Sequence, residues 1–184
     1  LDVAREAYSL YQSENALGPG AFPSLRELEE DVVRIGLGLL GAPSGAAGSM
    51  TSGGTESILL AVKTCRNEAR SRGIDTTGVW LHVDACVGGY LIPFVRMNGE
   101  DLTPFDFSVD GVRSISADLH KYGYAAKGAS TVFYRDAADH RHQLFVFDDW
   151  PAGGMVTPTV AGTRPGGAIA AAWAVLHYLG VAGY

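Results

Sequence analysis

Three short stretches hold residue types that do chemistry together. In Thr51-Ser-Gly-Gly-Thr-Glu-Ser57 a Gly-rich turn runs into the start of a helix. Free N–H groups and the positive helix end favour an anion there, and missing side chains let it approach. Ser52 and Thr55 add hydroxyls. Within Thr51–Ser57 no Gly-Lys-Ser/Thr follows and no Gly-x-Gly-x-x-Gly is formed, so this stretch is neither of the two common nucleotide-binding loops. The same residues also read as a plain capped helix, with Thr55 as the cap. In Leu81-His-Val-Asp-Ala-Cys-Val-Gly-Gly89, Asp84 stands where an apolar strand ends, the place where α/β folds put ligand groups. Its carboxylate suits a cationic ring nitrogen, and equally the capping of the next turn. His82 and Asp84 have no third ligand nearby, which argues against a metal. In Ser116-Ala-Asp-Leu-His-Lys-Tyr-Gly-Tyr-Ala-Ala-Lys-Gly128, Lys121 follows another strand end, flanked by His120, Tyr122 and Tyr124. A partly desolvated lysine has a lowered pKa and forms Schiff bases with carbonyls, whereas most lysines are solvated surface charges. Lys127 reads as a second anion contact or a solvated charge, and His120 as a packed histidine or a catalyst.

Taken together these parts are more specific than any one of them. An anion cradle, a carboxylate at a strand end and a lysine after a later strand are what pyridoxal 5'-phosphate requires. They supply an anchor for its phosphate, a partner for its pyridinium and an amine for its aldehyde.

The elements that must position these residues alternate. Residues 2–14 place Val3, Ala7, Leu10 and Tyr11 on one helical face. A Gly/Pro-rich loop follows, from Asn15 to Pro23. Ser24 with Glu27 reads as a capping box opening a helix whose apolar positions run from Leu25 to Leu39, ended by Gly41-Ala-Pro-Ser-Gly45. A strong helix is predicted from about Glu56 to Arg72, with Gly73 as its stop. Val79–Val83, Val112–Ile115 and Thr131–Tyr134 are short apolar strands. Pro151–Gly167 reads as a second Gly/Pro-rich loop, and an Ala-rich helix closes the chain. Helices alternating with short apolar strands predict an α/β layered fold.

Composition sets the bounds. The 184 residues carry 47% hydrophobic and 18% charged side chains, a globular balance. The net charge of −6 argues against a general nucleic-acid or anionic-membrane surface. Cys65 and Cys86 form no disulfide framework, so a reduced, cytoplasmic setting is expected. The longest apolar run, Ala168–Leu176, is short of the ~20 residues of a membrane helix, so no membrane segment is expected. Glycine is in excess, 24 of 184 against a usual ~7%.

The three stretches resemble the fold-type I pyridoxal-phosphate enzymes of the group II decarboxylase superfamily, and within it the sphingosine-1-phosphate lyase family. The resemblance to that branch rests on three features: Asp84-Ala-Cys-Val-Gly-Gly89, Lys121-Tyr-Gly-Tyr-Ala-Ala-Lys-Gly128, and Asp149-Trp-Pro151 followed by Thr159-Val-Ala-Gly-Thr-Arg-Pro-Gly-Gly167. It implies a large cofactor-binding domain with a mainly parallel sheet and helices on both faces, over residues 48–184, preceded by a helical and loop segment, 1–47. It implies Lys121 as the cofactor lysine, Asp84 at the pyridine nitrogen, Gly54 and Thr55 at the cofactor phosphate, and His120 beside the lysine as a proton carrier. Gly162 and Thr163 are similar to a loop that reaches the phosphate of the neighbouring subunit, implying a homodimer with shared active sites. Lys127 resembles a lysine associated with substrate phosphate, and Asn15 falls in the substrate-side N-terminal loop. The implied reaction is retro-aldol cleavage of a phosphorylated long-chain base, with amino-acid decarboxylation, or a non-catalytic fragment, as the alternatives.

The chain also departs from that family. Its phosphate-loop helix passes at Asp75–Thr76 straight into the strand that carries Asp84, where the family has several further βα units. None of His82, His120, His140, His142 and His177 sits where the family's ring-stacking histidine would be. The family's small C-terminal domain is not expected within this chain, and the cofactor-binding domain is expected to be incomplete. A sheet short of strands leaves an exposed edge.

Overall fold

A computed structural model describes residues 2–17, 20–73, 80–149, 151 and 153–184. The expected junction at Asp75–Thr76 and the start of the predicted 79–83 strand lie outside the described residues. In chain order the elements are α1 (Asp2–Leu10), α2 (Pro23–Leu39), β1 (Ala47–Thr51), α3 (Gly54–Ser71), β2 (Leu81–Asp84) and α4 (Ile92–Met97). There follow β3 (Val112–Ala117), β4 (Ser130–Tyr134), α5 (Ala137–His140), β5 (Phe145–Phe147), β6 (Met155–Thr157) and α6 (Gly166–Gly183).

Four strands form one sheet in the order β1-β4-β3-β2. β4 runs antiparallel to both β1 and β3, and β2 lies parallel to β3. The sheet is therefore mixed: β1, β2 and β3 share one direction, with only the β2–β3 pair parallel as neighbours. The register brings the ends of these three strands to one edge of the sheet. Thr51 pairs with Ser130, Ala117 with Thr131 and Asp84 with Ser116. Everything that follows β1, β2 and β3, and everything that precedes β4, therefore emerges at the same place. β2 is the last strand in this order, and Leu81 on it is exposed.

β4 is the centre of the packing. Its Ser-Thr-Val-Phe-Tyr run favours a pleated, buried surface, and all five residues are buried. Side chains alternate across the sheet. Phe133 joins the core formed with Leu25, Val32 and Val33 of α2, Ile115 of β3 and Ile169 of α6. Val132 and Tyr134 face the other way, against Leu60 and Ala61 of α3. Helices thus cover both faces.

Several boundaries differ from the sequence reading. α2 has no Ser24–Glu27 capping box; Phe22 is its N-cap and Pro23 opens it, with no side-chain cap bond. Proline at the first helical position has its φ already set and loses no needed N–H. The predicted 151–167 loop contains β6, which pairs with β5. Phe145 of β5 packs on the Leu60 cluster, and the Lys63 ammonium lies 4.1 Å from its ring centroid. α6 is 18 residues, long and apolar enough to cross a membrane by length and composition, unlike the shorter run read from sequence. Half of it is buried inside the fold, packed on α1 and α2.

Two histidines tie this packing to pH. His82 contacts Ser114 and Ser116 through its two ring nitrogens, and His140 contacts Ser49. Burial holds both below the ordinary histidine pKa. Below about pH 6.5 the unfolded chain binds protons that these folded imidazoles refuse, so stability falls as pH drops. The carboxylates with depressed pKa values, among them Asp84 and Asp106, add their losses only below about pH 4. Urea midpoints measured from pH 7 to pH 5 should decline, and His140→Gln should flatten the decline. A flat wild-type profile would contradict this.

Candidate active site

The shared strand edge gathers the chemistry. Ser52 and Gly53 leave β1 and open α3 at Gly54; Asp84 ends β2 and Cys86 follows it; Asp118, His120 and Lys121 follow β3; Ser130 begins β4. Asp118 is 2% exposed and is the hub. Its Oδ2 accepts from Lys121 Nζ at 2.8 Å, and its Oδ1 accepts from Ser130 Oγ at 2.5 Å. His120 Nε2 lies 3.5 Å from the same Oδ2. Ser130 Oγ is 3.1 Å from Ser57 Oγ, which is 2.7 Å from Thr51 Oγ1, so a chain of buried hydroxyls ties the carboxylate to α3 and β1.

The geometry corrects one expectation. Of the two readings of Lys121, a desolvated lysine of lowered pKa and a solvated charge, the geometry supports neither in full. Its hydrogen bond to Asp118 instead raises its pKa, more than partial burial lowers it. Its side chain is 37% exposed, so the amine can reach a ligand from a fixed base.

Asp84 lies across the parallel pair from Ser116. Its Oδ1 accepts from the Cys86 backbone N–H at 3.1 Å and from Ser116 Oγ at 3.3 Å. It therefore caps the turn and still presents an exposed carboxylate. The Cys86 side chain and backbone and Ser116 hold its pKa below the usual range despite some burial, so it is ionised at neutral pH. A negative group suited to a protonated ring nitrogen results. Burial, chiefly, pushes the Cys86 thiol up to about 12, so it stays a neutral wall.

Gly54 shows why glycine stands at the helix start. A Cβ there would lie 2.5 Å from Cys86 Sγ and 3.3 Å from both Asp118 carboxylate oxygens. Gly54→Ala is expected to destabilise the chain by about 1–3 kcal/mol and to weaken cofactor retention. Gly53→Ala is the control: its φ of 170° is extended backbone, and its Cβ would meet only His120 Cε1, at 3.9 Å. Thermal melts and cofactor retention after gel filtration check this; equal behaviour of the two variants would contradict it.

The remaining predicted residues are spread more widely. Thr55 is exposed on the first turn of α3. Lys127 is exposed, with Nζ 3.4 Å from the His120 carbonyl. Gly162 and Thr163 lie in the loop between β6 and α6. That loop is tied to α3 by Glu56, whose Oε1 accepts from Val160 N at 3.0 Å while Oε2 holds Ser52. Asn15 bridges Pro165, and Ala16 N donates to Arg164 O, which places it beside that loop and not in the Lys121 cluster. Asp118 had no role in the sequence reading. The signal that singled out Asp84, a carboxylate just past an apolar strand, marks Asp118 equally.

A cavity of about 520 Å³ lies elsewhere, between α2, β1 and the β5–β6 hairpin. Its lining is mostly apolar and includes none of the Lys121 cluster. Its buried charges, Arg164 and Glu29, are paired with each other.

The residues present fit pyridoxal phosphate. An amine, an ionised carboxylate and a side-chain-free helix start converge, and the buried His120 Nδ1 has no hydrogen-bond partner among the described residues. The model of the pyridoxal-dependent decarboxylase conserved domain matches residues 72–184, and the chain belongs to that family. Pyridoxal phosphate is the cofactor this membership implies. The chain is similar to the sphingosine-1-phosphate lyase of Oryza sativa subsp. japonica: 35% identical, covering 99% of this chain and 49% of that protein. The solved structure of a Burkholderia pseudomallei sphingosine-1-phosphate lyase superposes with a TM-score of 0.93 at 32% identity, covering 100% of this chain and 61% of that one. A Lactobacillus brevis glutamate decarboxylase, at 19% identity and a TM-score of 0.81 over 98% of this chain and 61% of that one, shares the fold. The chain spans about half the length of the rice relative. That alignment runs over 263 positions, more than 184 residues can fill, so the relative carries intervening residues that this chain lacks.

Proposed function

We propose that this chain is the cofactor-binding part of a pyridoxal-phosphate-dependent carbon–carbon lyase acting on phosphorylated long-chain bases. The similarity to sphingosine-1-phosphate lyases over nearly the whole chain carries this reading. Bound here, the cofactor supplies an electron sink. Lys121 would hold it through its amine, Asp84 would pair with its ring nitrogen, and Gly54 and Thr55 would receive its phosphate at the α3 N-terminus. His120 moves a proton at Nε2 beside Lys121. In the reaction the substrate C2–C3 bond breaks, the C3 hydroxyl loses its proton and C2 gains one, giving a fatty aldehyde and phosphoethanolamine.

Lys127 is proposed to attract the substrate phosphate, and Asn15 to line the substrate side. Gly162 and Thr163 are proposed to reach the phosphate of a second copy, making a homodimer with shared sites. Amino-acid decarboxylation is the second reading, favoured by the family whose model matches; Lys121 and Asp84 serve both. The test is to add pyridoxal phosphate and sphingosine 1-phosphate and assay for long-chain aldehyde. Aldehyde supports the lyase. Carbon dioxide from an amino acid, without aldehyde, supports the second reading. Neither product, with no cofactor band in the visible spectrum, overturns both.

A further inference from the structure

Asp118 is a carboxylate withdrawn from water, and such a charge is costly unless it is paired and hydrogen-bonded. Its backbone is held as well: Asp118 N donates to Cys86 O at 3.3 Å. Ser130 fixes one carboxylate oxygen, and the other is shared by Lys121 Nζ at 2.8 Å and His120 Nε2 at 3.5 Å. Lys121 is the solvent-accessible member of this set, its side chain over a third exposed while Asp118 is not. The other charged or titratable groups around Lys121 are Cys86 and Asp84 from the β2 end and Lys127 from the following loop, against the His120 carbonyl. On α3, the neighbouring Glu56 is turned away to Ser52 and Val160.

We propose that Asp118 is the positioning residue for Lys121, docking its amine beside the Gly54 cradle until an aldehyde arrives. This rests on the reading of Lys121 as the cofactor lysine. Capture of an aldehyde joins Nζ to the carbonyl carbon as a C=N bond and releases the aldehyde oxygen as water. The ammonium must first give up a proton, and Asp118 Oδ2, already in hydrogen-bond contact, accepts it.

Competitive acetylation of the cofactor-free chain, read at Lys121 by mass spectrometry as a function of pH, tests this. In the wild-type chain the midpoint for Lys121 should lie above that of a lysine in an unstructured peptide. Asp118→Asn should raise Lys121 acetylation at pH 8 by about threefold to tenfold and move cofactor capture, followed by its visible band, to lower pH. Asp118→Glu, which keeps the charge, should restore much of the wild-type profile. A wild-type midpoint no higher than the peptide's overturns the proposal even if Asp118→Asn does not fold. So does an unchanged Lys121 profile in a folded Asp118→Asn chain. The parent reading fails separately: wild-type chain would then show no visible band with added pyridoxal phosphate, whatever Asp118 does to the amine.

Discussion

Lys121→Ala is expected to abolish the visible absorbance that pyridoxal phosphate gives on binding, and with it all turnover. The chain has three lysines, Lys63, Lys121 and Lys127. Lys63 Nζ is committed to three carbonyls, of His142, Gln143 and Leu144, at 2.6–3.0 Å. Lys127 is exposed beyond the His120 carbonyl. Lys121 alone of the three joins the strand-edge cluster, 2.8 Å from a buried carboxylate and beside the Gly54 cradle. The alanine variant leaves Asp118 short of its main counter-charge, so a loss of band could come from misfolding. Lys121→Arg separates the two causes. Arginine keeps the charge beside Asp118, stays protonated and cannot form the covalent link. It should melt like wild type and show no band. Borohydride reduction followed by peptide mapping should tag Lys121 in the wild-type chain; a tag on Lys63 or Lys127 would refute the assignment.

Phe133→Ala is expected to cost about 3–5 kcal/mol, a large share of the ~5–15 kcal/mol that holds a domain together. The ring is fully buried at the middle of the sheet. A Cβ on Gly36 of α2 would collide with it, and one on Gly48 of β1 would lie 2.8 Å from it. Helix, edge strand and central strand are thus moulded around this one side chain, and the backbone on either side cannot close the space its removal would leave. The consequence reaches the site, because β4 also carries Ser130, which anchors Asp118. Equilibrium urea unfolding measures the loss, and cofactor binding should weaken in the same variant. A loss under about 1 kcal/mol would show that the core collapses around the gap and that β4 is not its centre.

Much of this architecture is readable in the chain because the cues are local. α2 carries helical spacing of apolar residues, α6 is an Ala-rich run, and Gly73, at positive φ, follows α3 as expected. β4 is a short run of β-branched and aromatic residues, and β3 carries β-branched Val112 and Ile115. The elements that escape reading lack such cues. Ala47-Gly-Ser-Met-Thr51 has weak strand propensity; it is a strand because β4 pairs with it over five residues. β5 and β6 are three residues each and exist through each other.

The same division runs through the site. Residue types and spacing by themselves pointed to a lysine, a carboxylate at a strand end and a glycine-backed helix start as parts of one constellation suited to pyridoxal phosphate, since each is defined by its immediate neighbours. They could not say which carboxylate the lysine meets. Asp84 ends one strand and Asp118 stands just past another, and the folded turn after β3 decides between them. β2 and β3 run parallel, so Asp84 is set against Ser116, while the turn after β3 folds Lys121 back onto Asp118. The burial of Asp118 is the long-range part, made where Ser130 of β4 and the turn at Cys86 meet it. The protonation of Lys121 depends on it, because electrostatic coupling is set by distance and burial in space, not by separation along the chain.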